Sequence, residues 1–165
     1  MSGAARVGAR LAELGLTLPA VAAPLAAYVP AVRDGGHVWT SGQLPFVAGA
    51  LPATGKVGAD VTPEDAADLA RVAALNALAA VGDLLGREDA TDPVTALDRV
   101  RRVVKVVGFV ASDPGFGGQP AVVNGASLLL HDLLGDAGVH ARSAVGVAVL
   151  PMDSPVEVEL VVAVD

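Results

Sequence analysis

Arg142 opens an extended run whose alternation sorts its side chains into two rows. Val145, Val147 and Val149 share one face, and Arg142 shares the other with Ala144, Gly146 and Ala148. A row of minimal side chains beside an arginine leaves open volume, or lets another backbone come close. A guanidinium at such a place can grip a carboxylate through two parallel hydrogen bonds, a geometry that lysine cannot reproduce. The competing reading is an arginine paired with a local Asp or Glu, since structural arginine pairs are common.

Other patterns carry less. Residues 49–57 approach a phosphate-binding loop, but five residues separate Gly49 from Gly55, and Val57 stands where a Ser or Thr must ligate. A plain turn is the better reading. Gly115, Gly117 and Gly118 do not make a dinucleotide fingerprint. His37, His131 and His140 lack metal-ligand spacing and have no cysteine to support them, so each reads as a core or solvated histidine. Arg99, Arg101, Arg102 and Lys105 read as a solvated strand edge rather than a binding patch.

These residues need elements to hold them. Thr62-Pro63-Glu64-Asp65 starts a helix: Thr62 caps, Pro63 suits the first turn, and both acids favour the positive end. Ala66, Leu69, Ala73, Ala77, Ala80 and Leu84 continue at helical spacing to Gly86, the expected stop. A second long helix is predicted over 120–134, ended by Gly135, and a short one over 6–14, ended by Gly15. Strands are predicted over 28–32 and 37–41, joined by the hairpin signal Asp34-Gly35-Gly36, then over 103–110, 142–149 and 156–164. Residues 46–60 and 87–93 read as loops. This order predicts a two-layer α+β domain, one sheet with two long helices on one face.

In the last strand Val156, Val158, Leu160, Val162 and Val164 share one face, while Val161 and Ala163 share the other. Apolar residues on both faces call for cover on both, and the chain has helices for one. A second copy of the same chain is the simplest remaining cover, so a homo-oligomer is expected.

Composition narrows the partners. A chain of 165 residues, 53% of them hydrophobic, can bury a core as one domain. A formal charge of −7 repels phosphate backbones, so no nucleic-acid partner is expected. The absence of cysteine excludes disulfides and thiol catalysis and fits a reducing, cytoplasmic location. Residues 14–32 carry no charge and match a membrane span in length, but Pro19, Pro24 and Pro30 interrupt them. They read as a connector, with neither a leader sequence nor a membrane partner expected.

The run Ala141-Arg142-Ser143-Ala144-Val145-Gly146-Val147-Ala148-Val149-Leu150-Pro151, followed by Val156-Glu157-Val158-Glu159, closely resembles the signature of the RidA-like (YjgF-like) imine deaminases. Upstream, Tyr28-Val29-Pro30 and Trp39-Thr40-Ser41-Gly42-Gln43-Leu44-Pro45 resemble that family's tyrosine and TSGQ-P motifs. Val123-Asn124-Gly125 falls where the family carries its asparagine. The resemblance covers a domain over 26–165, behind an N-terminal helix and connector over 1–25. The chain departs from the pattern in that added helix, in a longer segment over 87–97, and in Ala144, where cysteine is frequent.

The resemblance implies a chorismate-mutase-like fold assembled as a homotrimer, with sites at subunit interfaces. It also implies hydrolysis of reactive enamines and imines of amino acids to 2-oxo acids and ammonia, without metal or cofactor. Arg142 would bind the carboxylate of an imino or 2-oxo acid, with Tyr28, Ser41, Asn124 and Glu157 lining the site. In the mechanism expected, Glu157 holds the attacking water, Ser41 and Asn124 orient substrate or water, and Tyr28 walls the pocket. Two alternatives are a non-catalytic binder of a small carboxylate and, less favoured by the charge, a ribonuclease or translation inhibitor. If the strands of Arg142 and Glu157 form a hairpin, about six residues, roughly 20 Å, separate them along the ladder. Glu157 would then reach Arg142 from a neighbouring subunit or lie outside its site; the first is the expectation.

Overall fold

Thr62 accepts a hydrogen bond from the Asp65 amide and Pro63 takes the first helical position, so α2 (Pro63–Asp89) starts where its capping sequence says it should. In the computed structural model, which describes residues 6–24 and 26–165, this helix packs along α4 (Gln119–Leu134). Gly86 does not stop α2. The stop is Ala90, in the left-handed conformation (φ 52°), whose amide donates to the Gly86 carbonyl. The segment expected to be a loop over 87–93 therefore holds the last helical turn and leads into α3 (Pro93–Ala96), capped by Asp92. α2 is long and apolar enough to cross a bilayer, but most of that stretch is buried inside the protein as a core helix.

One mixed sheet has the strand order β1-β2-β5-β3-β4. β1 (Ala31–Asp34) and β2 (His37–Thr40) form the expected hairpin, although β1 starts later than predicted and leaves Tyr28 in a bend before it. β5 (Val156–Val164) pairs antiparallel with both β2 and β3 (Val100–Ala111). β4 (Ala141–Val147) pairs parallel with β3 at the sheet edge. The hairpin considered for β4 and β5 does not exist. The intervening turn, with Met152 and Asp153 both at positive φ, carries the chain past β3 instead.

Burial along β5 alternates without exception: Val156, Val158, Leu160, Val162 and Val164 are buried, and the residues between them are half-buried. The buried row meets α2, while α4 covers β3 and β4. No helix among the described residues covers the opposite face, where Val32, Trp39 and Val145 are 51%, 53% and 43% exposed. α1 (Arg6–Glu13) closes the helical layer, burying Val7 and Leu11 in the common core. The stretch over 14–32 has no helix beyond the turn at Leu14 and Gly15 among its described residues.

The basic run is not on a sheet-edge strand, since β3 lies between β5 and β4. Its first residues nevertheless protrude, because β4 begins to pair only at Lys105. Arg99 pairs with Glu88 and Asp89, and Arg101 with Asp165.

Candidate functional site

Arg142 pairs in register with Val106, a buried residue of the helix-facing row, so its side chain points toward α4. There its Nη1 donates to Asn124 Oδ1 (2.8 Å) and Ser127 Oγ (3.1 Å), and its Nη2 donates to the Pro120 carbonyl (3.1 Å). Positions 120, 124 and 127 recur at helical spacing, so one face of α4 presents all three acceptors. Each acceptor is neutral. Among the described residues Arg142 takes part in no ion pair, so the reading of a locally paired arginine does not hold.

A guanidinium carries five N–H donors. Three are committed here, which leaves Nε–H and one Nη2 hydrogen without a protein acceptor among the described residues. The small row beside Arg142 is used differently from expectation. Ala144 packs against the core, and a Cβ at Gly146 would meet Gln119 Nε2 at 2.7 Å. The chain's own helix terminus fills that space. Of the two rows, that of Val145 is the more open one among the described residues.

Tyr28, Ser41 and Glu157 gather elsewhere. The Ser41 amide donates to the Pro30 carbonyl (2.8 Å) and its hydroxyl to the Val29 carbonyl (2.6 Å), tying the residue after β2 to the segment before β1. Gln43 then exchanges backbone hydrogen bonds with Val158, which brings Gly42 against the neighbouring Glu157. A Cβ on Gly42 would lie 1.9 Å from Glu157 Oε1, so only glycine lets this carboxylate rest over the backbone. Burial, with a smaller contribution from Glu159, pushes the Glu157 pKa up. Burial also raises the pKa of Glu159. Tyr28, Gly42 and Gln43 help to line a hollow of about 30 Å³, too small to enclose an imino acid. Larger hollows of about 620 and 530 Å³ are lined by none of Tyr28, Ser41, Asn124, Arg142 and Glu157.

One chain therefore carries two separate clusters, Arg142 with Asn124, and Glu157 with Ser41 and Tyr28. Glu157 pairs with Phe109, and Arg142 with Val106, whose partner in β5 is Leu160. The two residues are offset by three positions along the strands and by two strands across, roughly 10 Å in each direction. They also leave opposite faces of the sheet.

Sequence reasoning missed Ser127 and passed over His140 as a core or solvated histidine. Ser127 Oγ lies 2.9 Å from His140 Nε2, and His140 Nδ1 lies 2.6 Å from the Gly138 carbonyl. The available signal was spacing: Ser127 is one helical turn beyond Asn124, and His140 two residues before Arg142 on an extended chain.

Comparison with known proteins fits this architecture. A family profile described as "YjgF/chorismate mutase-like, putative endoribonuclease" matches residues 8–164. Protein TCP17 of Trypanosoma cruzi is 44% identical over 160 residues, covering 95% of this chain and 93% of its own. A Shewanella oneidensis crystal structure bearing the same endoribonuclease description superposes with a TM-score of 0.86 at 32% identity, covering 96% of this chain and 99% of that one. The crystal structure of Escherichia coli TdcF with bound serine gives a TM-score of 0.61 at 25% identity, covering 90% and 96%. The chain belongs to the RidA-like (YjgF-like) family, and its α+β fold is the YjgF/chorismate-mutase-like one, a single mixed sheet with helices.

Proposed function

We propose that the protein hydrolyses reactive enamines and imines of amino acids to 2-oxo acids and ammonia, at sites formed between copies of a homotrimer. The observation that carries this reading is the state of Arg142: a guanidinium held by neutral acceptors, with two donors uncommitted. A carboxylate lying along the Nε/Nη2 edge accepts both and supplies the missing negative charge. Membership of the family supports the reaction class. The bare sheet face supports assembly, as does the placement of Glu157 and Arg142 on opposite faces, because another copy can bring one copy's Glu157 to the next copy's Arg142.

In this mechanism Arg142 holds the substrate carboxylate and so fixes the adjacent imine carbon. Glu157 takes a proton from water as the water oxygen bonds to that carbon. Glu157 passes that proton to the imine nitrogen. The new hydroxyl then gives up its own proton to the same nitrogen as the C–N bond breaks. Ammonia leaves, the carbonyl of the 2-oxo acid forms, and water is the only co-reactant. Asn124 orients Arg142, Ser41 offers its lone pairs to substrate or water, and Tyr28 walls the pocket. Such imines also hydrolyse unaided, and general acid–base help of about 10²–10⁴-fold is a sufficient contribution.

The binder reading has one observation behind it: the TdcF structure holds serine. Turnover separates the two. An amino-acid oxidase that generates imines in situ, with ammonia release followed with and without the protein, should show acceleration. Saturable binding of pyruvate without acceleration would assign the site to a binder. Cleavage of RNA at physiological salt, lost in Arg142→Ala, would favour the endoribonuclease description instead.

A further inference from the structure

Arg142, Ser127, His140 and Gly138 form a chain of three hydrogen bonds, at 3.1, 2.9 and 2.6 Å. Their directions follow from what each group can do. A carbonyl oxygen only accepts, so the proton between His140 and Gly138 sits on Nδ1. A neutral imidazole protonated at Nδ1 has a bare lone pair at Nε2, which accepts the Ser127 hydroxyl proton. A guanidinium only donates, so the Arg142 Nη1 hydrogen points at a Ser127 lone pair. Each assignment forces the next. Burial pushes the His140 pKa down and the nearby Arg142 charge acts in the same direction, against the Gly138 hydrogen bond. The ring is thereby kept in the neutral form that the chain of bonds requires.

We infer that Ser127 and His140 are positioning residues for Arg142: the Gly138 carbonyl sets the His140 tautomer, His140 takes the Ser127 proton, and Ser127 becomes the fixed acceptor that aims the guanidinium at a substrate carboxylate. The inference rests on the reading of Arg142 as a carboxylate ligand. Without His140 the Ser127 hydroxyl rotates freely, and in part of its range it turns its own proton toward Nη1. The acceptor then becomes a repelling donor. Asn124 and Pro120 still hold the guanidinium, so the loss is partial.

Four variants test this: Ser127→Ala, His140→Phe, His140→Gln and Arg142→Ala. Phenylalanine keeps a ring but offers no acceptor, whereas glutamine can place its amide oxygen near the position of Nε2. Imine turnover is measured as KM and kcat, pyruvate affinity by calorimetry, and folding by Tm. Ser127→Ala and His140→Phe should raise KM and the pyruvate Kd about tenfold, the scale of one charge-assisted hydrogen bond, with kcat and Tm near the parent values. His140→Gln should restore both constants. Ring ¹⁵N shifts of the parent protein should show His140 protonated at Nδ1. Equal behaviour of His140→Phe and His140→Gln, or a proton found on Nε2, would overturn the relay. Arg142→Ala reports on the other premise: unchanged pyruvate affinity there defeats the carboxylate reading itself, whatever the His140 variants do.

Discussion

At the scale of single residues, the charge of Arg142 meets no carboxylate among the described residues, and in the proposed function a substrate carboxylate is its partner. Arg142→Ala should lower kcat/KM for imines by tens to thousands-fold, the equivalent of about 2–5 kcal/mol, while oligomeric state measured by light scattering is unchanged. Arg142→Lys should fail nearly as badly, because a point charge cannot replace the planar fork. Glu157 makes a separate prediction about pH. As a base it must be ionised, and its pKa is pushed up by burial and then by Glu159, so activity should fall on acidification while the pH is still above the ordinary carboxylate range. Glu159→Gln removes the repelling neighbour, lowers the Glu157 pKa and should move the acid limb of kcat/KM to lower pH. Stability carries its own sign. The folded chain holds these two protons more tightly than the unfolded chain does. Their contribution is full below the ordinary carboxylate pKa and is lost as pH rises through the raised values, so Glu159→Gln should also stabilise the fold at neutral pH.

At the scale of elements, α1 is held by a cap that belongs to another part of the chain. Asp98 accepts the Arg6 amide through Oδ2 (2.8 Å) and the Val7 amide through Oδ1 (3.0 Å), satisfying orphan donors at the helix start. Asp98→Ala should cost about 1 kcal/mol in denaturant melts and speed proteolysis near Gly15, because α1 frays from its docking site. No pattern around Asp98 announces this, since the capped helix lies far away in sequence. The contrast with α2 is instructive: Thr62, Pro63 and the acids after them are local, and local chemistry is legible. Alternation in β5 likewise gave the correct faces, because period two is a property of one strand alone. Neighbours are not such a property. The short link between β4 and β5 invited a hairpin, yet β5 inserts between β2 and β3 and leaves β4 parallel to β3. The motif around Arg142 was readable, but its hydrogen-bond partners depended on which helix face lay above it. Ser127 and His140 stayed hidden for that reason.

At the scale of the molecule, two clusters on opposite sheet faces give assembly a direct test. If the chain forms the proposed homotrimer with interfacial sites, Arg142→Ala and Glu157→Gln trimers should each be inactive. Unfolded together and refolded as a random equal mixture, three quarters of the trimers are hybrids, and each hybrid holds one intact interfacial site of three. Roughly a quarter of the parent activity should therefore return. No recovery from a verified mixed trimer would place both residues in one subunit's site or remove one of them from the chemistry. The sheet order has a consequence of a different kind. β5 follows every other strand along the chain, yet it lies at the middle of the sheet and joins β2 to β3. A growing polypeptide that has emerged from the ribosome only as far as β4 holds two half-sheets with no ladder between them, each showing an open apolar edge. The core cannot close until β5 arrives, so the nascent protein passes through a sticky stage, and a premature stop before Val156 should yield an aggregating fragment rather than a shorter working protein.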